Sequence, residues 1–200
     1  MKKQNSLFKT KNMTLLSLMT ALVAIFQCIG LIIPIGFNVG AFALVPLVVG
    51  SAMLGPLAGA WLGFIFGLVV VITGQAAGFY VLGVIETIAV VLIKGTIAGL
   101  LSGIAYKLIA KKNSLSAIIT ASIICPVVNT AIFALACYTV FFPGIEGWAG
   151  AAGQNMFAYV FTFLIGANFF VELGICLIFS TVADRIIKIG KKMRNDKSYI

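Results

Sequence analysis

A membrane-length apolar run, VIETIAVVLIKGTIAGLLSGIAYK from Val84 to Lys107, carries an ammonium group, Lys94, near its middle. An ionisable group well inside hydrocarbon costs about 2.5 to 3.5 kcal/mol on insertion scales, so such a residue reads as a functional site whose partner must be found. The rest of the chain is constrained by the solvent this run demands. With 62% hydrophobic and 10% charged residues, a water-soluble fold of 200 residues could not cover its apolar surface. The chain is an all-α integral membrane protein in which nothing outside the apolar runs is large enough to form a soluble domain. Nucleotide hydrolysis or redox chemistry would therefore belong to other chains.

The net charge of +9 raises the possibility of nucleic-acid binding, and the position of the basic residues answers it. Lys2, Lys3, Lys9 and Lys11 precede the first apolar run, Lys107, Lys111 and Lys112 follow the fourth, and Arg185 to Lys197 follow the last. All are juxtamembrane, and the positive-inside rule puts both termini in the cytoplasm. Six transmembrane helices are expected: Met13–Ile33, a short second one at Ala41–Leu54 interrupted by Pro46, Pro56–Thr73, Val84–Lys107, Ser114–Phe142 around Pro126, and Phe157–Ala183. The first follows a basic start like a signal peptide, but its length and the further spans mark an uncleaved helix. This gives a basic cytoplasmic arm (1–12), one membrane domain (13–189) and a basic tail (190–200). The stretch PGIEGWAGAAGQN between the last two spans reads as an external loop, either a lid or a plain connection.

Helical rise converts sequence distance into depth. Lys94 lies thirteen residues outward of Lys107 and Glu172 thirteen outward of Arg185, so both sit about 20 Å from their basic markers. Asn129 and Asn168 each lie seventeen residues from Lys112 and Arg185, about 25 Å out. Three helices thus place polar side chains in one layer of the outer half, and Asn168 and Glu172 share a face at i, i+4. Two accounts remain open. One is a structural Lys94–Glu172 bridge between spans four and six. The other is the polar floor of a pocket open to the outside, where Lys94 meets an anionic group and the asparagines meet hydroxyl or amide groups. A pocket also needs apolar walls, and Phe37, Tyr80, Tyr138, Trp148 and Tyr159 lie near the external end, where each also qualifies as an interfacial belt residue. Asn38, in the GFNVG hinge, joins the polar candidates.

Gly55, Gly59, Gly63 and Gly67 recur every fourth residue, as do Gly95, Gly99 and Gly103, and both ladders read as close helix packing. Small residues on the first helix, Ser17, Thr20, Ala21, Ala24 and Cys28, form either a packing face or an outward docking face. Cys28, Cys125, Cys137 and Cys176 lie in apolar runs without Cys-x-x-Cys spacing and read as packing residues. The chain has no histidine and no convincing nucleophile–base or paired-carboxylate spacing, so it is not expected to be an enzyme, and no metal site is expected.

The segment IPIGFNVGAFALVPLVVGSAMLGPLAGAWLGFIFGL (Ile33–Leu68), the charged IKGTIAGLLSGIAYK, VVNT in span five and NFFVE in span six resemble the substrate-binding S components of energy-coupling factor transporters. The resemblance extends over nearly all six spans, and the pantothenate-type subgroup is the most similar. It implies a six-helix bundle with an external vitamin-sized pocket in a bacterial cell membrane. It further implies a first-helix face that docks to a transmembrane coupling subunit carrying two ATPases, so that ATP is used by partners and no cofactor resides in this chain. Where the pantothenate type is expected to carry arginine, this chain has Lys94, a point charge without the planar fork. Its alanine docking motif is replaced in part by Ser17 and Thr20. An S component for another vitamin (folate, riboflavin, pyridoxine) and a stand-alone proton-coupled transporter using Glu172 are the alternatives.

Overall fold

The computed structural model describes residues 10–32 and 42–195, and they are all-helical, without strands. The elements are α1 (Thr10–Ile32), α2 (Leu44–Leu54), α3 (Pro56–Ile72), a 3₁₀ helix (Ala77–Leu82), α4 (Val84–Ile109), α5 (Ser114–Thr139), α6 (Phe142–Ala151), α7 (Met156–Tyr159), a π-helical segment (Val160–Gly166) and α8 (Ala167–Asn195). The GFNVG hinge, with Phe37 and Asn38, lies outside the described residues.

Each apolar stretch is helical, but not every one is a full span. α1, α4 and α5 are long and apolar enough to cross a bilayer; Met156–Gly166 and Asn168–Ile189, bent by 40°, make a fourth if taken as one span. α2 has 11 residues, about 16 Å of helix, and α3 has 17, about 25 Å, against a hydrocarbon core of about 30 Å. Among the described residues, three or four helices are thus long enough to span on their own, and α2, expected to be short, and α3 are two shorter apolar helices beside them. Pro46 does not interrupt α2 but sits in its first turn, where its missing N–H leaves no hydrogen bond unmade.

The outer surface is apolar where a soluble protein's would be polar. On α4, Ile85, Ile93, Ile97, Leu101, Ile104 and Leu108 are exposed at helical spacing, and on α8 Phe170, Ile178 and Ile189 are also exposed. In water such stripes would drive aggregation. In lipid they are the ordinary solvent-facing side.

The two glycine ladders meet. A Cβ built on Gly59 would strike the carbonyl of Gly99, one on Gly63 that of Gly95, and one on Gly67 would lie 2.8 Å from the oxygen of Val91; the reverse holds for Gly95 and Gly99. α3 and α4 therefore touch backbone to backbone, which is how helices associate when lipid supplies no hydrophobic drive. Gly55 does not belong to this seam. It has φ +99° with nothing within 4 Å of a built Cβ, and forms the turn that lets α3 start at Pro56. The α4–α5 contact is also made of small residues, with Ala98, Ala117 and Ala121 fully buried and the Ser102 hydroxyl donating to the Ala121 carbonyl at 3.1 Å. At the other end Asp184, buried on α8, pairs with Lys188 at 2.6 Å and accepts from Ser114 at 2.7 Å, tying α8 to the start of α5.

The stretch PGIEGWAGAAGQN is not a loop. Most of it is α6, opened by Pro143, with Ile145 and Ala149 fully buried against Phe141, Cys137 and Val160.

Candidate functional site

A cavity of about 160 Å³ lies between α1, α3, α4, α5 and α8. This is roughly ten times the volume one water needs on the same measure. It is built from regular helical spacing. On α4, Thr87, Val90, Val91 and Lys94 fall on one face through i, i+3/i+4 steps, and on α5 Asn129, Thr130 and Phe133 do the same. α8 contributes Asn168, Phe169 and Glu172, α3 contributes Phe66 and Val70, and α1 contributes Gln27. Lys94 is the direct neighbour of Gly95 in the glycine seam, so its backbone is held while its side chain turns towards α5.

The polar layer expected from depth is brought together, since Lys94, Asn129, Asn168 and Glu172 all face this cavity. They do not close into a bridge. Among the described residues, no ion pair joins Lys94 to Glu172; the ammonium instead lies 5.2 Å from the centroid of the Phe133 ring, within cation–π range. Glu172 is buried and accepts from Asn168 Nδ2 at 3.2 Å through its Oε1, while Asn129 also approaches it.

Among the described residues, five buried side-chain polar atoms have no hydrogen-bond partner within the protein: Gln27 Oε1, Asn129 Oδ1, Asn168 Oδ1, Glu172 Oε2 and Tyr138 Oη. The first four belong to residues lining this one cavity. Leaving a buried polar atom unsatisfied costs about 1–3 kcal/mol, and here four such atoms gather around one cavity.

The walls are phenylalanines, not the residues expected. Phe79 packs against Phe133, Phe141 and Trp148 with centroid separations of 5.3, 5.6 and 5.8 Å, so Trp148 stands behind the wall and does not line it. Tyr80 points back to α3, its hydroxyl donating to the Val71 carbonyl at 3.3 Å. Tyr138 faces a separate groove between α5 and the bent span, and Tyr159 stacks on Phe163 at 5.4 Å. None of these four aromatics lines this cavity. Phe79 reaches it because the buried hydroxyl of Thr87 lies 2.6 Å from the Gly83 carbonyl and 3.0 Å from that of Phe79, fixing the 3₁₀ helix against α4.

Gln27 and Gln75 were not anticipated. They are 48 residues apart, one in an apolar helix and one in the turn that follows α3, yet Gln27 Nε2 donates to Gln75 Oε1 at 2.7 Å. The available signal was Gln27 itself, a strongly polar side chain deep in the first apolar run.

Nearer the start of α1, Ser17, Thr20, Ala21 and Ala24 line an apolar groove of about 640 Å³ with Leu57 and Trp61 of α3. The Ser17 and Thr20 hydroxyls donate to Met13 and Leu16 carbonyls of their own helix, so they present little polarity outward. Cys28 is exposed on the same helix, whereas Cys125, Cys137 and Cys176 are buried free thiols.

No curated protein and no solved structure matches the chain at a significant level. Residues 11–183 match the sequence model of the family described as "ECF transporter, substrate-specific component". The chain therefore belongs to the substrate-specific components of ECF transporters, multi-helix membrane proteins that bind a small-molecule substrate for an ECF module and are not enzymes.

Proposed function

We propose that the chain captures a small water-soluble vitamin, pantothenate being the first candidate, in the cavity between Lys94 and Glu172. It delivers the vitamin through a complex with a transmembrane coupling subunit and two ATPases that use the ATP. The observation that carries this reading is the gathering of four unpartnered polar atoms and one ammonium group around a phenylalanine-walled cavity. Pantothenate has a carboxylate for Lys94 and two hydroxyls and an amide N–H for the unpartnered oxygens. In this arrangement the basic arm (1–12) and tail (190–200) flank a single membrane domain with both termini in the cytoplasm of a bacterial cell. The small-residue groove of α1, from Ser17 to Ala24 with Cys28 beyond it, is the docking face for the coupling subunit.

The test is thermal unfolding of the detergent-purified chain against a panel of vitamins. A ligand at a hundred times its Kd adds about 2.7 kcal/mol to the folded state, so the bound vitamin raises the melting temperature and the others do not. Absence of a shift with every vitamin, alongside gradient-driven uptake by the chain alone, would replace this reading with that of a stand-alone transporter.

A further inference from the structure

The direction of each hydrogen bond around the turn that follows α3 settles the chemistry that Gln27 offers. The Thr73 hydroxyl uses its one proton on the Val69 carbonyl at 2.6 Å, so towards Gln75 it can only accept. Gln75 Nε2 accordingly donates to Thr73 Oγ1 at 3.2 Å and to the Gln27 backbone carbonyl at 3.4 Å. That leaves Gln75 Oε1 to receive the Gln27 Nε2 proton. Turning the Gln27 amide over would set two carbonyl oxygens face to face. Its orientation is thus fixed, and its Oε1 is buried without a partner in a residue that is only 1% exposed and lines the cavity.

We infer that Gln27 is a ligand-binding, specificity-determining residue that accepts a hydrogen bond from a hydroxyl or N–H group of the substrate, with Gln75 as its positioning residue. This rests on the cavity being the substrate site and adds to that reading the class of substrate it takes. The same polarity recurs on α5 and α8, where Asn129 Oδ1, Asn168 Oδ1 and Glu172 Oε2 are also acceptors without donors. Among the described residues, Lys94 is the one cationic donor lining the cavity. A buried acceptor is satisfied only by a donor. The site therefore selects a small molecule with several O–H or N–H donors distributed along its length and one anionic or acceptor group for Lys94, and rejects compact polyanions.

The experiment is calorimetric titration of the detergent-purified full chain with pantothenate, pantothenol, pyridoxine and riboflavin. It is followed, for the probe that binds, by analogues in which one hydroxyl is replaced by hydrogen or one N–H by N-methyl. One such deletion should weaken binding by roughly three- to tenfold, the worth of one buried hydrogen bond. Gln27→Leu should weaken the parent compound similarly, and the two losses should not add, which identifies the bonded pair. If every analogue binds the unaltered chain as tightly as its parent, or Gln27→Leu keeps full affinity while Lys94→Ala loses it, the role of Gln27 is overturned and the substrate site stands. Should none of the four bind, the vitamin that shifts the melting temperature in the panel above becomes the parent compound, and if no vitamin of that panel binds the unaltered chain, the vitamin-binding reading falls and the inference with it. The analogue series on the unaltered chain decides the matter alone should Gln27→Leu fail to fold.

Discussion

The α3–α4 seam and the α7–α8 span build facing parts of one cavity by opposite means. In the seam, glycines let two regular helices approach until backbone meets backbone, leaving no room for a Cβ on Gly59, Gly63, Gly95 or Gly99. In the other span the chain passes through seven residues of π-helix before α8 begins, a geometry with poorer packing that recurs at functional sites. Lys94 stands on the rigid element, and Asn168 and Glu172 stand just beyond the irregular one. The ammonium is thus carried by a helix packed backbone to backbone on its neighbour, while the amide and carboxylate follow directly on a π-helical segment.

Substitutions can break or sharpen this contrast. The largest effect belongs to the seam: Gly63→Leu places side-chain atoms on the Gly95 carbonyl and should cost about 3 kcal/mol or more, read as loss of monodisperse protein or a large fall in melting temperature. Gly147, where a built Cβ meets nothing within 4 Å, is the control, and its change to Ala should be neutral or slightly stabilising. Next, Lys94→Ala should leave the fold intact and reduce substrate affinity by about a hundredfold or more, as for truncation of one member of a desolvated charged contact; titration calorimetry checks it, and unchanged affinity would make the lysine purely structural. The smallest effect belongs to the irregular span: Asn168→Ala removes a single hydrogen bond to Glu172 and should weaken binding by about tenfold. An equal loss for Asn168→Ala and Lys94→Ala would erase the distinction between the two regions.

Much of this arrangement was legible in the sequence because it follows from one-dimensional periodicity. Helical rise counted from the flanking basic residues puts Lys94, Glu172, Asn129 and Asn168 in one layer, and the four-residue glycine repeats announce close packing. What was not legible depends on direction rather than spacing. Tyr80, Tyr138 and Trp148 have the right depth but face other neighbours, and sixteen phenylalanines gave no basis for picking Phe79, Phe133 and Phe141 as the walls. Gln27 was hidden because its meaning comes from Gln75, 48 residues away in sequence. α6 was read as a loop because three glycines outweighed the burial pattern of Ile145 and Ala149, which tertiary packing enforces.

The π-helical segment also separates counting from orientation. Successive residues of an α-helix advance by about 100° around the axis, and a π turn takes up an extra residue that the surrounding helix need not accommodate. A helical wheel drawn straight through from Phe157 to Glu172 therefore assigns the two ends to the wrong relative faces. By the same arithmetic, a one-residue deletion within this stretch is absorbed by a return from π to α, so that α7 and α8 keep their relative faces and Asn168 and Glu172 still face the cavity although the chain has lost a residue.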